Sequence, residues 1–451
     1  MRARITAAVA AIGLMLAQSA AAQAPPPATI IHAGALLARP GQPPAGPSTL
    51  VIRAGKVEAV HAGFQDPAAV GAAGARIVDL KDQFVLPGLI DSHVHIFSDD
   101  DKLRARVEGN TRDIEDNFVI GLDNARRTLE AGFTTIRDLG SDARSVTALR
   151  DGINNGLIAG PTILAAGRPI SITAGHGDPS NSLNRMLSGP VRSESDNLCN
   201  GPEDCRRAVR AQIGQGADVI KFTATGGVNS NIAGGLGRQM FDDEMKAIVD
   251  TAHMFGRKVA AHAHGTDGII AALNAGVDSI EHGTFGTKET DALFRKTGAW
   301  FVPTMLAPQA ALAQARAGSR SRATLEKAEI AAKAAMENHR RAIASGVKIA
   351  FGTDSGVSSH GDNGKEFALM VQVGMTPAQA IKAATVDAAE LLGRADAIGS
   401  LEPGKDADLI AVARSPLADV TELERPTFVM RRGVVHKLAG ERQGFPPPGR
   451  P

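Results

Sequence analysis

Apolar positions change their period along the chain. Over residues 28–87 they alternate with polar ones, or run as β-branched stretches between Gly and Pro turns, as in Thr49–Arg53 and Lys56–Val60; both patterns predict strands. The pattern returns near the end, where Asp408–Val412 and Thr427–Met430 precede Arg431–Val435, which reads as a hairpin. The two ends are expected to share one small β-sandwich, built from 23–87 and 398–443. Between them, short apolar runs alternate with helix-like stretches. The strand candidates are Val85–His95, Thr134–Asp138, Thr162–Ala166, Val219–Phe222, Val259–His264, Ser279–His282, Trp300–Thr304 and Ile349–Asp354. Helical periodicity follows most of them, over Asn117–Ala131, Asp204–Gln215, Asp242–Phe255, Asp267–Ala275 and Leu325–Ala344. Strand–helix alternation implies a parallel α/β sheet. Eight units of this length suit a (β/α)8 TIM barrel over 88–397, whose chemistry lies at the C-terminal strand ends; a doubly wound open sheet is the alternative.

Two segments fall outside this pattern. Arg2 and Arg4 precede an apolar run, Ile5–Leu16, and the small residues Ser19–Ala22. That is the layout of a secretory signal peptide, assigned to 1–22, so the mature chain is expected in a bacterial periplasm or the medium, with no membrane span once the signal is removed. The Pro/Gly-rich stretch 444–451 is expected to be a disordered tail. Export changes how the two cysteines read. Cys199 and Cys205 stand in Cys-Asn-Gly-Pro-Glu-Asp-Cys, and an oxidising compartment favours a local disulfide over two free thiols. Lys and Arg together number 49 and Asp and Glu 48, a balance that excludes the basic face a nucleic-acid partner needs.

Candidate chemistry gathers at the strand ends. His93 and His95 are two apart on the first barrel strand and so share a face, an arrangement that suits a divalent metal. His262 and His264 form a second such pair, while His282 and Asp354 end two further strands. Lys221 ends a strand among apolar neighbours. It reads either as an ordinary lysine paired with an acid, or as a neutral amine that adds CO2 to become an anionic carbamate. In the loops, His176, Arg168, Ser98 and His360 are the candidate substrate contacts, together with His264. Arg137 reads as structural, paired with Asp138 or another acid.

These residues carry a resemblance. Val85-Leu86-Pro87-Gly88-Leu89-Ile90-Asp91-Ser92-His93-Val94-His95 and Leu401-Glu402-Pro403-Gly404-Lys405-Asp406-Ala407-Asp408-Leu409 resemble the opening strand and the closing return of the metal-dependent amidohydrolase superfamily. Arg168-Pro169-Ile170, Gly175-His176-Gly177-Asp178, Lys221-Phe222 with Gly226-Gly227, and Ala261-His262-Ala263-His264-Gly265 are similar to its imidazolonepropionase-like branch, which holds Xaa-Pro dipeptidases, prolyl carboxypeptidases and ochratoxinase-type amidases.

The resemblance implies two Zn2+ or other divalent ions. His93 and His95 match ligands of the more buried one, His262 and His282 those of the second, and Lys221 the N6-carboxylated bridge. Asp354 matches the carboxylate that ligates the first metal and carries protons. In this branch the first histidine of the strand-five pair is the ligand, so His262 is chosen and His264 is left to polarise the scissile carbonyl. The implied reaction is hydrolysis of an amide or peptide bond to a C-terminal amino acid, in dipeptides, N-acyl amino acids or an ochratoxin A-type amide, by hydroxide that bridges the metals. An octameric or other homo-oligomeric assembly is also implied. A deaminase or cyclic-amide hydrolase of the same superfamily is the second reading. Deaminases of the superfamily carry a Glu three residues after the strand-five histidine, where this chain has Gly265. A non-catalytic metal-binding protein is the third reading, and would need a closed ligand set.

Overall fold

The structure, a computed structural model, describes residues 27–444 apart from 110, 182, 229, 231–234 and 318–321. The expected signal segment, and the expected tail beyond 444, lie outside the described residues. In chain order the strands are β1 (Thr29–Leu36), β2 (Ser48–Arg53), β3 (Lys56–Ala62), β4 (Arg76–Pro87), β5 (Leu89–Val94), β6 (Phe133–Asp138), β7 (Thr162–Ala165), β8 (Val219–Thr223), β9 (Lys258–Ala263), β10 (Ser279–His282), β11 (Trp300–Val302), β12 (Leu409–Val412), β13 (Phe428–Arg431), β14 (Val434–Leu438) and β15 (Glu441–Arg442).

The chain ends meet in one eight-stranded sheet, ordered β15-β14-β13-β12-β4-β1-β2-β3. Its seam is the antiparallel pair β4–β12, with Leu409 opposite Pro87 and Val412 opposite Phe84. Ile31, Leu50, Val85, Leu409 and Phe428 pack together on it as a core of their own. The expected first barrel strand divides at Gly88. Residues up to Pro87 belong to this sheet, and β5 begins a different one. A Cβ at position 88 would lie 2.2 Å from Thr134 Oγ1, so only glycine fits at the crossing.

The middle of the chain holds two parallel sheets, β5-β6-β7 and β8-β9-β10-β11. In the segment that follows β7, Ile170 bridges to Phe222 of β8. The segment expected as an eighth strand forms no strand. Instead Ile349 bridges to Phe301 and Ser355 to Val94, so residues 349–355 lie between β11 and β5. Two features take this segment off a regular ladder. Asp354 has φ 58, and Gly352 packs so closely that a Cβ would meet Val302 Cγ1 at 2.4 Å.

Helices cover these sheets. Pro202–Gly214, Asp242–Met254 and Thr266–Ala275 lie close to the sequence-based ranges, and the helix expected from Leu325 begins three residues earlier, at Arg322. Local chemistry sets their ends. Thr287 accepts a hydrogen bond from the Thr290 amide to open Lys288–Thr297, and Gly298 at φ 75 closes it. Phe222, Val259, Ile280, Phe301 and Phe351 form part of the largest buried cluster. No helix of the described residues is long and apolar enough to cross a membrane.

Candidate active site

The C-terminal strand ends open into a cavity of about 290 Å³. It brings together His93, His95, His176, Lys221, His262, His264, His282 and Asp354, from the ends of β5, β8, β9 and β10, the loop after β7 and the segment 349–355. His93 and His95 face it from β5 as strand alternation requires. On β10, alternation alone would send Glu281 and His282 to opposite sides. The backbone at His282 turns to φ 71, which lets His282 reach the cavity rim while Glu281 faces the interior against His93.

Each imidazole is held by a partner on its other ring atom or its neighbouring loop. His93 Nδ1 lies 2.9 Å from Glu281 Oε2, and His95 Nδ1 lies 3.0 Å from the Gly140 carbonyl. His264 Nδ1 meets Thr284 Oγ1 at 2.7 Å, and His282 Nδ1 meets Thr304 Oγ1 at 2.8 Å. His176 Nδ1 meets Ser230 Oγ at 2.9 Å, with its ring centroid 4.3 Å from that of His262. Partners of this kind orient imidazoles around a metal.

Electrostatics keep most of these rings neutral. Burial pushes His93 down to about 4, with the Lys221 ammonium adding to the effect. Burial likewise pushes His176 to about 4 and His264 to about 3, and holds His262 and His282 well below the ordinary histidine range. His95 differs: burial acts against its charge, but contact with Asp354 lifts it above the ordinary value. Burial would raise Asp354, yet His93 and His95 bring it below the usual carboxylate range. Glu281 lies at about 2, because Arg137 and His93 outweigh its burial. A neutral imidazole keeps a lone pair for a cation.

The donor set fits divalent metal. His262, His264 and His282 offer ligand atoms within 4.8 Å of one another, and so do His93, His282 and Asp354. Lys221 is the clearest sign. Its side chain is buried, Nζ has no hydrogen-bond partner, and burial pushes its pKa down to about 8. A buried amine left without a partner is costly.

Three expected substrate contacts lie elsewhere. His360 is fully buried, with Nδ1 3.0 Å from Thr128 Oγ1 and Nε2 3.1 Å from the His95 carbonyl, so it braces the backbone of β5's end rather than facing the cavity. Ser98 lines a separate surface hollow beside Asp99 and Lys102. Arg168 points to another hollow, 3.4 Å from Asp142. The long loop after β7 folds back: Ser171 bridges to Leu198, and a helix, Arg185–Ser193, fills its middle. Cys199 and Cys205 are joined by a disulfide at the base of that loop.

Arg137 is structural, as expected, and of the acids left open its partner is Glu281, at 2.9 Å, rather than Asp138. Two opposite charges in otherwise apolar strands were the available signal. Other contributors could not be singled out from the sequence. His339, on the helix Arg322–Ala344, lines the cavity, and its Nε2 lies 2.8 Å from the His282 carbonyl. Thr284 and Thr304 gave no signal, since a threonine after a strand is ordinary.

Comparison with known proteins agrees with this geometry. The amidohydrolase family model matches residues 84–436. The ochratoxinase of Aspergillus niger is 34% identical over 371 residues, covering 79% of this chain and 76% of that protein. A crystal structure of a Xaa-Pro dipeptidase with methionine bound in the active site superposes with TM-score 0.84 at 37% identity, covering 91% of this chain and 100% of the other. A prolidase complexed with N-methylphosphonate-L-proline superposes with TM-score 0.82 at 27% identity, covering 92% of this chain and 100% of the other. The chain belongs to the amidohydrolase family and is a hydrolase acting on amide bonds.

Proposed function

We propose that the chain is a binuclear, zinc-dependent amidohydrolase that releases a C-terminal amino acid from a dipeptide or an N-acyl amino acid. The observation that carries this reading is the partnerless Lys221 Nζ, buried among the cavity histidines. As a neutral amine it can add CO2 with loss of one proton, giving a carbamate whose two oxygens can serve two cations. His93, His95 and Asp354 would hold one cation, His262 and His282 the other, and carboxylated Lys221 both. When bound, the pair supplies Lewis acidity toward the scissile carbonyl and acidifies the attacking water.

The chain's own residues do the rest. Asp354 takes the proton of the attacking water and returns it to the leaving nitrogen. His264, braced by Thr284, donates a hydrogen bond to the carbonyl oxygen as charge develops there. Glu281, locked by Arg137, holds the His93 ring in place. His176 contacts the substrate from the loop after β7. The methionine and the proline phosphonate named for the two dipeptidase structures support an amino-acid product, and the ochratoxinase similarity supports an N-acyl substrate.

In this reading the parallel strands and residues 349–355 close as a (β/α)8 barrel, and the terminal sheet curls into a small sandwich. Export follows from the N-terminal pattern together with the disulfide, and the enzyme works as a homo-oligomer. The test is metal counting and hydrolysis on zinc-reconstituted protein, with Xaa-Pro dipeptides, N-acyl amino acids and ochratoxin A as substrates. Wild type should hold two zinc ions and turn over. Lys221→Ala should hold fewer and lose activity by about 10²–10⁴-fold. Near-normal activity in that variant overturns the binuclear reading.

A further inference from the structure

A second cavity, of about 370 Å³, lies at the other end of the parallel strands. Thr162, Val219 and Lys258, the first residues of β7, β8 and β9, line it. The metal-competent residues sit toward the opposite ends of these strands. Its lining is cationic: Arg137, Arg150, Arg257, Lys258, Arg394 and Arg432 face Asp218 as the acidic lining residue. The whole chain carries a net charge of only +1, so this concentration is local.

Some of these cations are already satisfied. Arg137 spends its donors on the Ser92 carbonyl, Ser279 and Glu281. Arg150 pairs with Asp151 and Asp218. Lys258 is 3.4 Å from Asp278, which His253 shares, and Arg432 is 3.5 Å from Asp406. Arg257 and Arg394 are different. Among the described residues neither has a carboxylate partner, and the buried Arg257 Nε, like Arg432 Nε, has no hydrogen-bond partner. Both are partly buried, on turns made at Gly256 and Gly393 with φ 66 and 67. Gly393 packs close to Lys258, a Cβ there meeting its Cε at 3.5 Å, so the two turns converge on one wall.

We infer that this cavity binds a small polyvalent oxyanion of the phosphate type, gripped by Arg257 and Arg394 with Lys258 and Arg432 beside them. A guanidinium presents a planar fork that matches two oxygens of such an anion, and charge-assisted bonds of this kind are about twice as strong as neutral ones. The concave shape suits a compact ligand, and the volume falls in the usual range for small-molecule sites, roughly 300–1,000 Å³. A nucleic-acid strand would need an extended basic face instead.

The experiment is calorimetric titration of zinc-loaded protein with inorganic phosphate and with sulfate, against KCl of matched ionic strength. Wild type should bind phosphate and gain thermal stability beyond the KCl control. Arg257→Gln/Arg394→Gln should weaken binding by about tenfold or more while amide hydrolysis stays unchanged. If the double variant does not fold, Arg394→Gln alone should weaken binding, and Arg394→Lys should fall between. No binding beyond KCl overturns the inference. So does equal binding in wild type and variant, which would put phosphate at the histidine cavity.

Discussion

Asp354, His282 and Thr304 all line the active-site cavity, and all three hold left-handed backbone, at φ 58, 71 and 49. Each such non-glycine residue costs about 1–3 kcal/mol, and such costs persist where function requires them. The conformation makes Asp354→Asn a clean test, because asparagine tolerates the left-handed region. That variant should fold with an unchanged melting temperature and lose about 10²–10⁴-fold in kcat, measured at saturating metal. A loss below tenfold would remove Asp354 from proton transfer. Gly227 offers a second test. A Cβ there would lie 2.3 Å from His176 Cε1, too close for both to stay. Gly227→Ala should displace the ring, break its contact with Ser230, and lower kcat/KM by about tenfold at unchanged metal content. Activity within twofold of wild type would mean that His176 does not meet the substrate.

The His-x-His end of β5 was legible because alternation is a property of the strand itself. The segment 349–355 was not, since its apolar run reads as a strand while close packing at Gly352 and the turned Asp354 leave it with bridges only. In the acidic run after β5, where a solvated face is the ordinary expectation, Asp99 is buried and ties the next helix, Lys102–Glu108, to its surroundings through Arg104 at 2.9 Å and Arg112 at 2.8 Å. Burial would raise the Asp99 carboxyl, but the two guanidiniums bring it down to about 2. A carboxylate with a depressed folded value stabilises the fold above its unfolded value and loses that contribution as pH falls through the folded one. The window therefore runs from about 4 down to about 2. Its worth is under about 2 kcal/mol, since Arg104 is half exposed and screened. Asp99→Asn should lower the melting temperature near neutral pH and shrink the acid sensitivity across that window, read by thermal melts along a pH series. Melts that fall in parallel with wild type would place the tie elsewhere.

The two ends of the molecule depend on each other. β12 lies between β4 and β13, so the last strands complete the sheet that the first ones begin. Removing everything from Leu409 onward would leave β4 with an unpaired edge and uncover Val85 and Leu86, both fully buried now. Such an edge invites aggregation. The truncated chain should be insoluble or elute as aggregate on gel filtration, whereas a soluble, active truncation would show that the sheet is dispensable. The strand–helix rhythm, the paired histidines of β5 and β9, and the amidohydrolase resemblance could all be read without coordinates, because backbone periodicity and motif spacing are carried by neighbours in the chain. Other features waited for the folded molecule. Arg137 meets Glu281 across 144 positions, Thr304 braces His282, and His360 turns inward to hold a carbonyl instead of a substrate. Each of these depends on which distant segments touch. The partner of a buried charge, or the strain a backbone will bear, is set by three-dimensional packing, which overrides local preference.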